Sequence, residues 1–216
     1  MGNQVRRLLI ATTNRDKLTE MRRLLGAATI DLITLRDLPS VAEPDETGTT
    51  FEENARLKAL YYDAAFPSTG PEGHYTIAED SGLVIDALDG EPGIHSSRFV
   101  RPDATYAEKF AEIYRRLDEA PGVERTARFV CAVSVVHHGV VTFETTGIVE
   151  GEIADAPRGT GGFGYDPIFY YPQYGMTLAE VSAEQKLRIA HRGVAIGKLA
   201  QWLEATRSAE DRQIGA

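Results

Sequence analysis

The feature that most limits the possible folds of this chain lies near its beginning. There an apolar run is followed by a block of helix-capping residues and then by an amphipathic helical pattern. Residues 5–11 (Val-Arg-Arg-Leu-Leu-Ile-Ala) have the pattern of a buried strand. Thr12, Thr13 and Asn14 end that run and are residues of the types that cap helices. A helix is then predicted over residues 15–25. Its apolar face carries Leu18, Met21, Leu24 and Leu25. This order of strand, polar turn and helix predicts the start of an α/β unit.

The rest of the chain mixes strands joined by helices with strands joined by a short turn. Predicted strands cover residues 30–35, 75–78, 83–88, 125–136 and 140–148, and predicted helices cover 51–66, 105–119 and 182–205. Residues 39–50 predict a loop, and Glu-Asp-Ser-Gly at 79–82 predicts an acidic turn. His-His-Gly at 137–139 predicts the turn of a hairpin. Connections of both kinds predict an α/β fold with helices on the faces of a mixed sheet.

The size of the chain, 216 residues, fits one large domain. We predict a single domain over residues 1–206 and a disordered tail over residues 207–216. The single cysteine, Cys131, lies in an apolar run and predicts a core thiol, which favours a reducing cytoplasm. No apolar stretch approaches the roughly 20 residues that span a bilayer, so no membrane partner is expected.

The charge of the chain limits its partners. Lys and Arg number 23 against 32 Asp and Glu, which gives a formal net charge of −9. Proteins bind DNA and RNA largely by neutralising phosphates with basic side chains, so a nucleic-acid polymer is not an expected partner. Small anions remain possible ligands, because a few basic residues can converge in one pocket.

Four polar clusters lie at the ends of predicted elements, where binding groups are usually placed. The first consists of Thr12, Thr13, Asn14, Arg15, Asp16 and Lys17. Backbone N–H groups at a helix start and a lysine one turn later suit a phosphate. A capped helix with a solvated lysine explains the same pattern.

The second and third clusters combine acids with helical polar residues. Glu46 precedes a helix on which Asn54 and Lys58, four residues apart, share one face. In the third cluster, Asp80 and Ser81 follow Glu79, and adjacent carboxylates can bind a hard cation and polarise a water molecule. A plain acidic turn is the alternative for the third cluster.

The fourth cluster is the glycine-rich segment 159–167, Gly-Thr-Gly-Gly-Phe-Gly-Tyr-Asp-Pro. It has neither the Gly-Lys-Ser/Thr ending of a P-loop nor the context of a dinucleotide fingerprint. Its glycines allow close backbone approach, and Phe163 and Tyr165 offer aromatic faces on which a base can stack. A mobile loop is the alternative. Lys186, His191 and Arg192 complete the set of polar groups near the last helix.

Together and in this order, the clusters resemble the Ham1/RdgB-type inosine triphosphate pyrophosphatases, over residues 9–199. The matching segments are 11–14 with Lys17, 47–51, 53–55 with 58–59, 80–83, 92–94 with 97–98, 159–169, Glu184, Lys186 and 191–193. The resemblance implies an elongated mixed sheet flanked by helices, with two lobes and a central cleft. It also implies Mg²⁺ as cofactor, a homodimer and a purine nucleoside triphosphate as substrate.

The resemblance also assigns roles to residues. Residues 12–17 would hold the triphosphate, with Lys17 and Lys58 as point charges. Asp80 would be the proton acceptor and a metal ligand, and Glu46 a second acid at the metal. Asn54 and Ser81 would contact substrate. The base and sugar pocket would contain Phe163, Gly164, Tyr165, Asp166, Lys186, His191 and Arg192.

Three positions depart from the family pattern. Thr13 replaces a frequent glycine, Glu79 stands where aspartate is usual, and Ala190 stands where serine precedes the histidine. The longer side chain of Glu79 would shift the geometry of a metal site, so we do not assign it as a ligand.

The resemblance implies hydrolysis of ITP, dITP and XTP to the monophosphate and pyrophosphate, which cleanses the nucleotide pool. Donors such as Lys186 would pair with the oxygen at C6 of hypoxanthine or xanthine, whereas adenine would present a second donor there. Two alternatives remain at this point. One is a nucleotide-binding regulatory protein without catalysis, and the other is a related pyrophosphatase acting on modified pyrimidines or standard nucleotides.

Overall fold

Seven strands form one mixed sheet in the order β2-β1-β3-β4-β5-β6-β7. The structure, a computed structural model, describes residues 6–26, 30–67, 73–119 and 122–214, with side chains up to residue 207. The strands are β1 Arg6–Ile10, β2 Ile30–Thr34, β3 His74–Ile85, β4 Thr126–His137, β5 Val140–Ile153, β6 Phe169–Tyr171 and β7 Met176–Thr177. Strand β1 pairs in parallel with β2 and β3, and β6 pairs antiparallel with β5 and β7. The predicted mixed α/β sheet is confirmed.

The helices are α1 Arg15–Leu25, α2 Phe51–Ala65, α3 Tyr106–Asp118, α4 Ala183–Ile189 and α5 His191–Ile214. Asn14 caps α1 as predicted, because its side chain accepts hydrogen bonds from the backbone N–H groups of Asp16 and Lys17. Residues 50–53, Thr-Phe-Glu-Glu, have the pattern of a capping box at the start of α2, and the structure forms one half of it. Thr50 accepts from the Glu53 backbone, but the Glu53 carboxylate accepts from Thr49 instead. Within the described residues, no helix is long and apolar enough to cross a membrane.

Two predicted boundaries are wrong. The helix expected over 182–205 is divided at Ala190, whose extended backbone (φ −72°, ψ 155°) separates α4 from α5. The second helix continues to Ile214, past the predicted end at 205. The division into a domain over 1–206 and a disordered tail over 207–216 stays a prediction, and residues 215–216 lie outside the described residues.

The acidic turn predicted at residues 79–82 is also wrong, because β3 runs through it without interruption. Glu79 and Asp80 are buried in the strand. Charged side chains are tolerated in a buried strand only where partners compensate them, and both carboxylates contact cationic side chains from helices.

The hairpin between β4 and β5 is confirmed. His138 and Gly139 form its turn and both have positive φ angles, 50° and 75°. Two central residues with positive φ are typical of a type I′ turn, whose twist matches that of the flanking strands. Glycine at the second position adopts this conformation without a steric penalty.

The chain divides into two compact units, each with its own core. Unit 1 comprises residues 1–80, 132–147 and 192–216, and unit 2 comprises residues 81–131 and 148–191. A cluster in unit 1 packs Ala11, Ala59, Tyr62, Ala78 and Val136. The larger core of unit 2 includes Leu83, Ile113, Phe129, Ile168 and Phe169. Cys131 is fully buried, as predicted for a core thiol.

Candidate active site

One ammonium group is bonded by two carboxylates in unit 1. Lys58 Nζ lies 2.8 Å from Glu46 Oε1 and 2.9 Å from Asp80 Oδ1. Lys58 is supplied by α2, Asp80 by the middle of β3, and Glu46 by the loop before α2. The structure therefore brings together the two acids predicted as metal ligands and the lysine predicted beside them.

Asn54 joins this cluster one helical turn before Lys58. Its Nδ2 donates to Asp80 Oδ2 over 3.3 Å, and its Oδ1 accepts from the Gly48 backbone N–H over 2.8 Å. A side chain at Gly48 would meet Asn54 Oδ1 at 2.6 Å and Glu53 Cβ at 2.7 Å, so only glycine fits there without rearrangement. The loop that carries Glu46 is thereby anchored to the helix that carries Lys58.

Burial and charge act in opposite directions on these groups. Burial raises the pKa of Asp80 above its ordinary value, although the charges of Lys58 and Lys17 work against this. Burial on its own would lower the pKa of Lys58, but Asp80 and Glu46 outweigh it and the pKa is raised. The lysine is thus held in its cationic form, and Asp80 is a stronger base than an exposed aspartate.

A second ionic network surrounds Glu79. Its carboxylate, 1% exposed, lies 3.0 Å from Lys17 Nζ and accepts from Arg192 Nε at 3.0 Å and Nη2 at 3.2 Å. Arg192 Nη1 also donates to Glu20 Oε2 over 2.5 Å. Arg192 was predicted in the base pocket and Lys17 at the phosphates. The structure places both cations on the Glu79 carboxylate. Glu20 was not predicted as a site residue, although it follows Lys17 by one helical turn in the sequence.

The predicted phosphate turn is partly occupied by its own cap. Asn14 Oδ1 accepts from the backbone N–H groups of Asp16 and Lys17, at 2.9 and 3.2 Å, and Thr12 Oγ1 accepts from the Asn14 N–H. Thr13, Arg15 and Asp16 are exposed. The Lys17 ammonium and the exposed residues of the turn are therefore better placed to meet a phosphate than the two capped N–H groups.

In unit 2, the glycine-rich segment is organised by a buried ion pair. Lys186 Nζ donates to Asp166 Oδ2 over 2.6 Å, and the same oxygen accepts from the Phe163 backbone N–H over 2.7 Å. The ammonium also lies 4.7 Å from the centre of the Phe163 ring. Gly162 has a φ of 66°, and a Cβ there would collide with the Asp166 carboxylate. Glycine is required at this turn.

The aromatic residues of the segment differ in exposure. Phe163 and Gly164 are partly exposed, whereas Tyr165 is 4% exposed and belongs to the core of unit 2. The Tyr165 hydroxyl donates to the Ser96 carbonyl over 2.8 Å. The prediction that the Tyr165 ring offers a face for stacking is therefore wrong, since core side chains cover it, and Phe163 retains that role.

The remaining predicted residues are His191, at the start of α5, and Ser81, in the middle of β3. His191, buried at the start of α5, stacks on Phe129 with the ring centres 4.8 Å apart. This contact covers one face of the imidazole. Ser81 follows Asp80 in β3 and is partly exposed.

The acids Glu46 and Asp80 suit a Mg²⁺ ion. In the described part of the chain, no group of three or more His, Cys, Asp or Glu side chains is arranged to hold a metal. Mg²⁺ is commonly held by one or two carboxylates, with waters and substrate phosphates as further ligands. Two carboxylates that converge on one ammonium match that donor set.

Comparisons with known proteins identify the family of the chain. A family model described as the Ham1 family matches residues 8–202. A dITP/XTP pyrophosphatase from Geobacillus kaustophilus is 44% identical over 201 residues, covering 93% of this chain and 96% of that protein. One from Exiguobacterium sibiricum is 42% identical over 193 residues, covering 89% and 94%. The solved structure of a HAM1 protein from Coxiella burnetii is 37% identical with a TM-score of 0.84, covering 93% of this chain and 100% of that one. The chain therefore belongs to the Ham1 family.

Proposed function

We propose that this protein is a Mg²⁺-dependent pyrophosphatase that hydrolyses deaminated purine nucleoside triphosphates (ITP, dITP and XTP) to the monophosphate and pyrophosphate. The observation that carries the proposal is the meeting of Glu46 and Asp80 on the Lys58 ammonium. Carboxylates beside a fixed cation suit phosphoryl chemistry, which depends mainly on positioning and electrostatic stabilisation. The names of the similar proteins, dITP/XTP pyrophosphatases, support the choice of substrate.

Asp80 is the proton acceptor in this proposal. It takes a proton from the water molecule that attacks the α-phosphorus, and pyrophosphate leaves as the bond from the α-phosphorus to the bridging oxygen breaks. Asn54 and Lys58 each bond one oxygen of the Asp80 carboxylate, so its orientation is fixed before substrate arrives. Glu46 and Asp80 would hold Mg²⁺, which supplies neutralisation of the phosphate charge when bound.

Lys17 is the second cation directed at the phosphates. Its ammonium is bonded to Glu79, and Glu79 is held in turn by Arg192. The arginine and the glutamate therefore fix the position of Lys17 without needing to touch substrate. This explains why the structure buries Arg192, which the sequence analysis had placed in the base pocket.

Base recognition is assigned to Phe163, Asp166 and Lys186. The Lys186 ammonium donates to Asp166 and lies over the Phe163 ring, so it is a positioned donor beside an aromatic face. It would donate to the C6 oxygen of hypoxanthine or xanthine. Adenine would place an amino donor there, and each buried unsatisfied group costs about 1–3 kcal/mol.

One substrate panel tests the proposal. The protein is incubated with Mg²⁺ and the triphosphates of inosine, xanthosine, guanosine, adenosine and cytidine, and pyrophosphate and orthophosphate are measured separately. We expect pyrophosphate from ITP and XTP at rates at least about 100-fold above those for ATP. Binding of ITP without pyrophosphate release would favour the regulatory protein, and preference for cytidine triphosphate would favour the alternative pyrophosphatase.

We also propose that the protein works as a homodimer in the cytoplasm, where it cleanses the nucleotide pool. The support is the resemblance to the family and the match to its members. Sedimentation velocity tests the assembly: a single species of about twice 23.7 kDa is expected, and a species of 23.7 kDa contradicts it.

A further inference from the structure

Helix α3 carries a buried lysine that the proposed chemistry does not use. Lys109 is 3% exposed. Within the described residues, no carboxylate lies within ion-pair distance of its ammonium. Burial lowers the pKa of Lys109, and no neighbouring charge contributes to that shift. A buried lysine without a counter-ion is costly for stability. Such residues are enriched at functional sites.

The contacts of the ammonium are backbone oxygens and an aromatic ring. Lys109 Nζ donates to the Ser97 carbonyl over 2.6 Å and to the Ser96 carbonyl over 3.4 Å. It also lies 4.9 Å from the centre of the Tyr106 ring. Lys109 thus joins α3 to the turn that contains Ser96 and Ser97.

The Ser96 carbonyl also accepts the hydroxyl of Tyr165. That bond is 2.8 Å long, and Tyr165 lies between Gly164 and Asp166 in the glycine-rich segment. The Ser96 hydroxyl is fixed as well, because it accepts from the Leu83 backbone N–H and donates to the Gly93 carbonyl. The carbonyl is therefore a fixed point to which both Lys109 and Tyr165 are bonded.

A second route connects the same residues through aromatic contacts. The Tyr106 ring, which Lys109 covers, meets the Tyr165 ring edge-on with the centres 5.3 Å apart and the planes at 87°. Gly164 lies beside the Tyr106 hydroxyl, which a Cβ at that position would approach to 3.5 Å. Helix α3 therefore supports the inner side of the segment that presents Phe163 and Asp166.

From these contacts we infer that Lys109 is a positioning residue for base recognition, acting through the Ser96 carbonyl and the Tyr106 ring on Tyr165 and the segment around it. The inference rests on the proposed function, since it assigns that segment to the base. Lys109 would touch neither base nor phosphate. Its loss would loosen the donor and the aromatic face that discriminate bases, while leaving Lys58 and Asp80 intact.

The test compares Lys109→Met with Lys198→Met. Lys198 is a surface control, because it too donates to a backbone carbonyl, that of Thr146, over 2.8 Å, but it is exposed and lies in α5. We expect Lys109→Met to raise KM for ITP about tenfold and leave kcat within about threefold, because an interaction equal in ground and transition states is lost. The preference for ITP over ATP should also decrease in Lys109→Met. Lys198→Met should behave as wild type, and Lys109→Arg should lie closer to wild type than Lys109→Met.

A purely structural role gives a different result. If Lys109→Met lowers the thermal midpoint but leaves KM and base preference unchanged, the inference is wrong. Should Lys109→Met not fold, Tyr165→Phe provides a second test, because it removes the hydroxyl that donates to the Ser96 carbonyl. This variant should also show a reduced preference for ITP over ATP. Wild-type preference in Tyr165→Phe would then overturn the inference.

Binding of monophosphates separates this inference from the proposed function. Calorimetric affinities for IMP and AMP require no catalysis. Loss of the IMP preference in Lys109→Met supports the positioning role even if wild type releases no pyrophosphate, in which case only the proposed reaction fails. An unchanged IMP preference in a folded variant contradicts the positioning role alone.

Discussion

The two ionic networks of unit 1 differ in their central group and in their balance of charge. At Lys58, one ammonium is bonded by two carboxylates, Glu46 and Asp80. At Glu79, one carboxylate is bonded by two cations, Lys17 and Arg192. In the first network two carboxylates face one ammonium, whereas in the second Arg192 is also bonded to Glu20, so two carboxylates face two cations. In the proposed function, Mg²⁺ would therefore bind at the first network, and the second would maintain the position of Lys17.

The largest effect is expected from replacement of Asp80, the proposed proton acceptor in the Lys58 network. Asp80→Asn keeps the shape of the side chain but removes its charge, and kcat for pyrophosphate release from ITP should fall at least about 100-fold. Asp86→Asn is the matched control, since Asp86 bonds Arg128 outside the candidate site. Turnover of Asp80→Asn within tenfold of wild type would remove Asp80 from the reaction.

Replacement of Glu79, in the second network, should mainly lower the stability of the protein. Glu79→Gln removes a carboxylate charge from the buried Arg192, which is also bonded to Glu20, and from the partly exposed Lys17, and the free energy of unfolding should fall by about 3 kcal/mol. Urea denaturation followed by circular dichroism measures it. Glu144→Gln disrupts a more exposed bidentate pair with Arg56 and should cost much less. Equal losses in the two variants would contradict the distinction between the networks.

Glu46→Gln tests whether the Lys58 network binds the metal. One of two metal-binding acids is lost, so the Mg²⁺ concentration for half-maximal activity should rise about tenfold, whereas the urea midpoint should change little. Glu43→Gln, an exposed change in the same loop, is the control. An unchanged Mg²⁺ requirement would exclude Glu46 from the metal site.

The sequence predicts best the features that depend on near neighbours. The caps at Asn14 and Thr50 and the hairpin turn at His138 and Gly139 are set by residues within a few positions, and the structure contains them. The pairing of Asn54 with Lys58 on one helix face is equally local. For the same reason, the residues of the candidate site could be proposed from the sequence before their locations in the structure were known.

The features that the sequence did not predict depend on distant residues. Glu79 and Asp80 looked like a turn because two adjacent acids are rare in a buried strand. The cations that stabilise them come from other helices, and Arg192 follows Glu79 by 113 positions. Tyr165 looked available for stacking because its bond to Ser96 spans 69 positions. No local pattern carries such information.

The amide of Asn54 has a consequence for how this loop can evolve. The two ends of one side chain serve different neighbours, because its oxygen accepts from Gly48 and its nitrogen donates to Asp80. An aspartate would keep the first bond and lose the second, and any residue larger than glycine at position 48 would push the amide away from the strand. Substitutions at positions 48 and 54 are therefore expected to be coupled.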